Sequence, residues 1–236
     1  MALVGIASAI EQSRGWTYVA GTWKEFWPLD LLWCFTTAEE SRVVSGLQAP
    51  SWSWAAKEGR KSFLISVMFN WHSFKDSTVT YMSEVVDYFC PSTLSRHCSG
   101  GNLTEKGGSG MTITLKGPVR KGIVGNDLGK FRPPWERRVQ LDDRYGLADL
   151  VKVRWDEVPE EGEPMILLLV VTWEEYELSF QHVGLVLMPE PNQPVTDGTS
   201  GMFYRRVSAW IAHRAETNPQ SVFFDGTEAD EIVRIC

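Results

Sequence analysis

The sequence predicts a mainly β protein of α+β character: an antiparallel β-barrel or sandwich carrying an N-terminal helical cap. Three observations predict it. Hydrophobic spacing is helical before Pro50 and shifts towards two-residue alternation after it. Short apolar segments then recur between polar, Gly- and Pro-rich breaks, the rhythm of an antiparallel sandwich or barrel. Met165–Trp173 is the most apolar stretch and reads as a central strand covered on both faces. With no repeat and no linker-like stretch, the 236 residues read as a single domain, 1–48 as cap and connection and 49–236 as barrel or sandwich.

In chain order, Leu3, Ile6, Ala7 and Ile10 recur at helical spacing and predict a helix over 2–12. Gly15 and Gly21 interrupt that pattern. Pro28, tolerated in a first turn, opens a second predicted helix to Phe35, with Leu29, Leu32 and Trp33 on one face. Thr36–Gln48 is polar with charges of both signs, a surface connection. Pro50 lacks an amide hydrogen and suits the first position of a strand. On that strand Trp52 and Trp54 share one face, while Ser51, Ser53 and Ala55 share the other. An indole buries up to roughly 250 Å², so the pair is either a core staple or the wall of a ligand cavity.

Phe63–Phe69 is nearly continuous in apolar residues and predicts a strand covered on both faces. Thr78–Phe89 alternates through Val79, Tyr81 and Val85, and Thr112–Lys116 alternates until Gly117-Pro118 stops it. Val139–Leu141, Leu150–Trp155, Phe180–Met188, Met202–Ile211 and Glu231–Cys236 complete the predicted strands.

Composition narrows the function classes. Thirty acidic residues stand against 23 basic ones, with no basic run, which argues against a nucleic-acid partner. No apolar run is long enough to cross a bilayer as a helix, so no membrane span is expected. The N-terminus has no basic n-region, and the four cysteines are scattered, which together suggest reduced thiols and a cytoplasmic location. Eleven tryptophans are the outlying number: they build an unusually large core or line a hollow. A homo-oligomer stays open.

No phosphate loop and no nucleophile elbow is present. Cys90, His97 and Cys98 lack the paired close spacing that structural zinc requires. Neither metal nor cofactor is therefore expected. The candidate site is an apolar pocket bordered by Trp52, Trp54, Trp71 and Trp173, with His72 and Tyr81 as donors to a carbonyl. His182, on a strand, and Arg205 are further catalytic candidates. Arg205 shares a face with Phe203 and Val207, where a guanidinium needs an anionic or carbonyl partner. A carboxylate of the protein itself would satisfy it.

Leu3-Val-Gly-Ile-Ala7, Tyr18-Val-Ala-Gly-Thr-Trp23, Leu29-Asp-Leu-Leu-Trp33 and Ala49-Pro-Ser-Trp-Ser-Trp-Ala55 together carry a family resemblance. They resemble the C-terminal region of fungal heterokaryon-incompatibility (HET) domain proteins. Leu115–Pro118, Gly184–Leu187 and Tyr204–Val207 agree more loosely. Thr22 stands where that family has leucine, and Glu58-Gly59 where it has aspartate-glycine. Met1 stands almost at the start of the matching region, so the resemblance implies a module without the HET domain. The family's cell-death role is therefore not carried over, and no catalytic residue is transferred.

Two readings follow. One is an enzyme that binds an apolar small molecule and steers a cofactor-free cyclisation of Diels–Alder, pericyclic or isomerisation type, in fungal terpenoid or polyketide metabolism. Such chemistry needs a near-attack fold and a few placed donors, and leaves no motif. The other is a non-catalytic protein-interaction or regulatory module, which an exposed tryptophan patch would favour.

Overall fold

Ala2–Arg14 forms α1, the only α-helix among the described residues. Its buried side is centred on Ala7, whereas Ile6 is exposed. The computed structural model describes residues 2–35, 42–43, 49–64, 78–90, 111–124, 139–141, 151–155, 159–175, 179–190, 202–215 and 228–236. After α1 come β1 (Tyr18–Val19), β2 (Thr22–Trp23), β3 (Trp33–Phe35), β4 (Arg42–Val43), β5 (Lys57–Glu58) and β6 (Lys61–Phe63). These pair antiparallel as β1–β2, β3–β6 and β4–β5. The first pair turns through Ala20 and Gly21, both at positive φ (47° and 95°), as a two-residue type I′ hairpin requires.

Two expectations for this region are corrected. The predicted helix from Pro28 to Phe35 is a single 3₁₀ turn, Leu29–Leu31, followed by β3. A helix of eight residues is marginal on its own, because nucleation is costly, and needs tertiary packing to persist. Pairing with β6 supplies the backbone bonds that Trp33, Cys34 and Phe35 need when all three are buried. Nor is the tryptophan stretch extended: it turns at Pro50–Ser53 and enters a 3₁₀ turn at Trp54–Ala56. The cause is Ser53, whose hydroxyl accepts from Ala55 N, a local bond that competes with strand geometry.

The remaining strands are β7 (Thr78–Tyr81), β8 (Glu84–Phe89), β9 (Thr112–Val124), β10 (Val139–Leu141), β11 (Val151–Trp155), β12 (Pro164–Glu175), β13 (Ser179–Pro189), β14 (Phe203–Ala215) and β15 (Asp230–Ile235). All nine join one sheet. Its pairings run from β9 through β15, β14, β13 and β12 and return to β9, so the sheet closes on itself as a barrel does. Every pairing is antiparallel except the short β14–β15 contact. The predicted mainly β, antiparallel architecture with an N-terminal helix is what the chain adopts.

Gly117-Pro118 does not end β9, contrary to expectation. Here β9 changes partners: β8 reaches Lys116 and β15 reaches Pro118, whereas β12 begins at Val119 and β10 at Gly122. Proline is tolerated where a ladder is interrupted. Glycine is required by a close approach, because a Cβ on Gly117 would meet Ser83 Cβ at 2.9 Å. Ser83 is the corner between β7 and β8. Its hydroxyl donates to Leu169 O, and the amides of Met82 and Ser83 both reach Val170 O (2.9 and 3.3 Å). Val170 is the extra residue of a bulge in β12.

Apolar side chains fill both faces of the β12–β13 hairpin. Ile166, Leu168, Val170, Val183, Leu185 and Leu187 join one core, which also takes Trp27, Leu31, Leu32 and Trp52 from the N-terminal region. Leu167, Leu169, Val186 and Met188 join a second core with Trp155 and Trp210. The nearly unbroken apolar run predicted for β12 is thus explained by burial on both sides.

Candidate functional site

The N-terminal region meets the sheet through the tryptophan stretch, whose two indoles part ways at Ser53. Ser53 Oγ donates to Ala20 O and Trp54 Nε1 to Gly21 O, so the stretch is docked on the hairpin turn between β1 and β2. A Cβ on Gly21 would lie 3.0 Å from the Trp54 indole nitrogen, which makes that turn position a glycine site for packing as well as for φ. Trp52 points instead into the first core, edge-on to Trp27 with ring centres 5.8 Å apart. Trp27 is edge-on to Tyr88 of β8 at 5.5 Å, and Lys24 Nζ lies 4.9 Å from the centre of the Tyr88 ring.

Most polar atoms of this cluster are satisfied. Trp27 Nε1 donates to Thr22 Oγ1 (2.7 Å), Thr22 Oγ1 donates to Val19 O (3.0 Å), and Trp33 Nε1 donates to Trp52 O (3.0 Å). Trp52 Nε1 is the exception: 1% exposed as a residue, it has no acceptor among the described residues. A buried donor left unpaired costs roughly 1–3 kcal/mol, so one in a folded core needs a reason. Half-buried Leu29, Val79, Val85, Tyr88 and Cys90 pack against this core and form its rim.

A second polar cluster lies where β14 meets the N-terminal region. Arg206, 2% exposed, donates from Nε to Leu31 O (3.1 Å) and from Nη2 to Trp33 O, and its guanidinium stacks 3.6 Å from the Trp33 ring centre. Ser51 Oγ accepts from Arg206 N (2.9 Å) and donates to Cys236 O, while Cys236 N reaches Tyr204 O at 2.9 Å. Burial, and then the nearby Glu190 carboxylate, push the Cys236 thiol up to about 11. Burial also raises the Tyr204 phenol, with Glu231 adding to it. In the N-terminal region burial raises the Asp30 carboxyl, and its bond from Trp23 N (3.1 Å) works against that shift.

The residues singled out from sequence are dispersed. Trp52 is in the aromatic cluster. Trp54 is half-buried at the hairpin turn and is not beside it on a shared strand face. Tyr81 sits on β7 opposite Val171, with more than half its surface exposed. His182 is buried on β13 opposite Thr172, on the face that carries Gly184 and Val186. Tyr81 and His182 therefore lie on opposite faces of the sheet, since Val171 and Val183 belong to the first core. Arg205 Nε pairs with Glu190 Oε2 at 3.7 Å, an internal carboxylate of the kind the sequence allowed for. His72 and Trp71 lie outside the described residues, as does the side chain of Trp173.

Arg206 rather than Arg205 is the buried guanidinium. A bulge at Val207 shifts the β13–β14 register, so the alternation that placed Arg205 with Phe203 and Val207 does not hold across it. Sequence reasoning also missed Lys24, Trp27 and Tyr88. Tyr88 faces the core because a second bulge, at Val86, resets the alternation after Val85. Trp27 was visible as one of four clustered N-terminal tryptophans. Among the described residues no group of three or more His, Cys, Asp or Glu side chains is gathered as metal ligands would be, and no helix is long and apolar enough to cross a membrane. Comparison with protein-family models, curated proteins and solved structures finds no match to this chain.

Proposed function

We propose that the chain binds an apolar, carbonyl-bearing small molecule at the Trp27–Trp52–Tyr88 cluster and folds it for a cofactor-free ring closure. The observation that carries this reading is the buried Trp52 Nε1–H without an acceptor. A ligand carbonyl would complete that donor, and in a dry aromatic site the bond would polarise the carbonyl as charge develops on it. Rigid indole faces would hold the reacting carbons in a near-attack arrangement, which is most of what such a reaction needs. Tyr88, half-buried at the rim, must swing aside to admit the molecule. The resemblance to the HET C-terminal region supports a fungal module, and this reading places it in secondary metabolism.

The test titrates ¹⁵N-tryptophan-labelled protein with 1,7,9-decatrien-3-one, a linear trienone able to close intramolecularly, with chelator present and no nucleotide. The Trp52 indole N–H resonance is expected to move downfield, and one stereoisomer of the bicyclic ketone to form faster than in buffer. Trp52→Phe, which keeps a ring but removes the N–H, is expected to slow closure by roughly 10²–10³. A Trp52 resonance that stays still at millimolar trienone sinks the site. A resonance that moves while closure stays at the buffer rate sinks catalysis and leaves a binding protein.

The protein-interaction reading is favoured by one observation of its own. Among the described residues β8 pairs with β9 alone, and it exposes Val86 and Phe89 beside that unpaired edge. It predicts that Phe89→Asp abolishes partner binding without changing the trienone response.

A further inference from the structure

The aromatic cluster has a cation at its outer, Tyr88 end that no carboxylate of the described residues neutralises. Within residues 2–35 three carboxylates stand, and backbone amides occupy each of them. Glu11 Oε1 accepts from Tyr18 N at 3.0 Å, Glu25 accepts from Thr17 N through both oxygens at 2.9 and 3.0 Å, and Asp30 Oδ2 accepts from Trp23 N. Lys24 lies in the same 3₁₀ turn as Glu25, yet among the described residues its ammonium has no ion-pair partner and rests over the Tyr88 ring. From Lys24 a series of ring contacts runs inward through half-buried Tyr88 and buried Trp27 to buried Trp52. Its order is cation, aromatic wall, unpaired donor.

Resting on the reading of Trp52 as a ligand donor, we propose that the ligand is an apolar carboxylic acid carrying its carbonyl further along the chain. The carboxylate takes the Lys24 ammonium from the face of Tyr88, because a charge-assisted hydrogen bond is stronger than an exposed cation–π contact. Losing its cation frees Tyr88 to swing, which opens the way that the buried Trp52 donor requires. The hydrocarbon then lies along Tyr88 and Trp27, and the inner carbonyl meets Trp52 Nε1. Lys24 thus serves as anchor and latch: an apolar molecule without an acid head must open the rim unaided.

The experiment is calorimetric titration of the full chain with decanoate, decan-1-ol and decylamine, repeated on Lys24→Met, which keeps the stem and removes the charge. Decanoate is expected to bind at least fivefold more tightly than decanol, with decylamine weakest. The preference is expected to vanish in Lys24→Met and to shrink at high salt, since the pair is near the surface. Equal affinity for acid and alcohol in the wild-type chain, or a preference that survives Lys24→Met, overturns the acid assignment. In that event a Trp52 resonance that still responds to the trienone leaves the apolar site standing. Failure to bind any of the three probes, with the Trp52 resonance unmoved, overturns both.

Discussion

Replacing Gly117 by alanine tests the corner around which β9 changes partners. The new methyl carbon would fall well inside van der Waals contact of Ser83 Oγ, 2.9 Å from Ser83 Cβ and 3.1 Å from the Met82 carbonyl oxygen. Ser83 cannot rotate away without releasing Leu169 O, which it holds in the buried wall of the sheet. Overpacking of this kind costs about 1–3 kcal/mol. The abandoned carbonyl adds roughly 1–3 kcal/mol. A loss of about 2–6 kcal/mol lowers Tm by roughly 4–24 °C in a chain of this length. The assay is urea denaturation of wild type, Gly117→Ala, Ser83→Ala and the double variant. Ser83→Ala removes the hydroxyl that the new methyl would strike, so the two losses should fail to add, with a coupling of at least about 1 kcal/mol. Losses that add to within about 0.5 kcal/mol would refute the close approach.

Arg206→Met should cost about 2–6 kcal/mol, because it leaves the carbonyls of Leu31 and Trp33 buried without their donor, at roughly 1–3 kcal/mol each; a denaturation midpoint within error of wild type would show that the guanidinium does not brace the two regions. Asp30→Asn keeps an acceptor for Trp23 N and removes a carboxylate that burial disfavours. Its native form is the harder one to ionise, so the stability it lends is present below the ordinary carboxylate range and lost as pH rises through its raised value. The asparagine variant should therefore gain most over wild type at pH 7 and least near pH 3.5, and melts showing the reverse order would contradict the burial. For Cys236 the raised thiol keeps its proton in the folded chain after the unfolded chain has lost it, so this contribution is present below about 9 and is lost as pH rises through about 11. In a chain whose other cysteines are serine, alkylation at pH 8 should be far slower than for an unfolded control, and equal rates would place the thiol in solvent.

Legibility from sequence followed the regularity of the backbone. Strands β12 and β13 were readable because both faces are buried over Met165–Val171 and His182–Met188, which leaves nearly unbroken apolar runs. β15 and the first half of β9 were readable as clean segments bounded by breaks. What failed is local irregularity. The bulges at Val86, Val170 and Val207 each shift the parity of a strand, yet valine at those positions looks like any other strand residue. One of them misdirected attention to Arg205 and away from Arg206. At the candidate site, Trp52 was legible as a rigid apolar residue in a small-residue setting. Its separation from Trp54 was not, because one serine hydroxyl decided it. The partnership of Lys24, Trp27 and Tyr88 joins an N-terminal 3₁₀ turn to β8, and spacing along the chain carries no trace of such long-range contact.

The order in which the chain leaves the ribosome gives β15 a role beyond its contacts. β9 and β14 are synthesised well before residues 230–235; they are already joined through β12 and β13, but the circuit of pairings closes between them through β15. Until that segment emerges, one edge of β9 over Ile113–Pro118 and the end of β14 at Phe203–Tyr204 lack these partners. Open edges next to apolar strands are templates for pairing with another chain. The nascent protein is then most exposed to aggregation between the emergence of β14 and that of β15, and closure must wait for a contact of long sequence separation, which folds slowly. Codon changes that slow elongation after β14 would lengthen that interval and lower the soluble yield without altering a single residue.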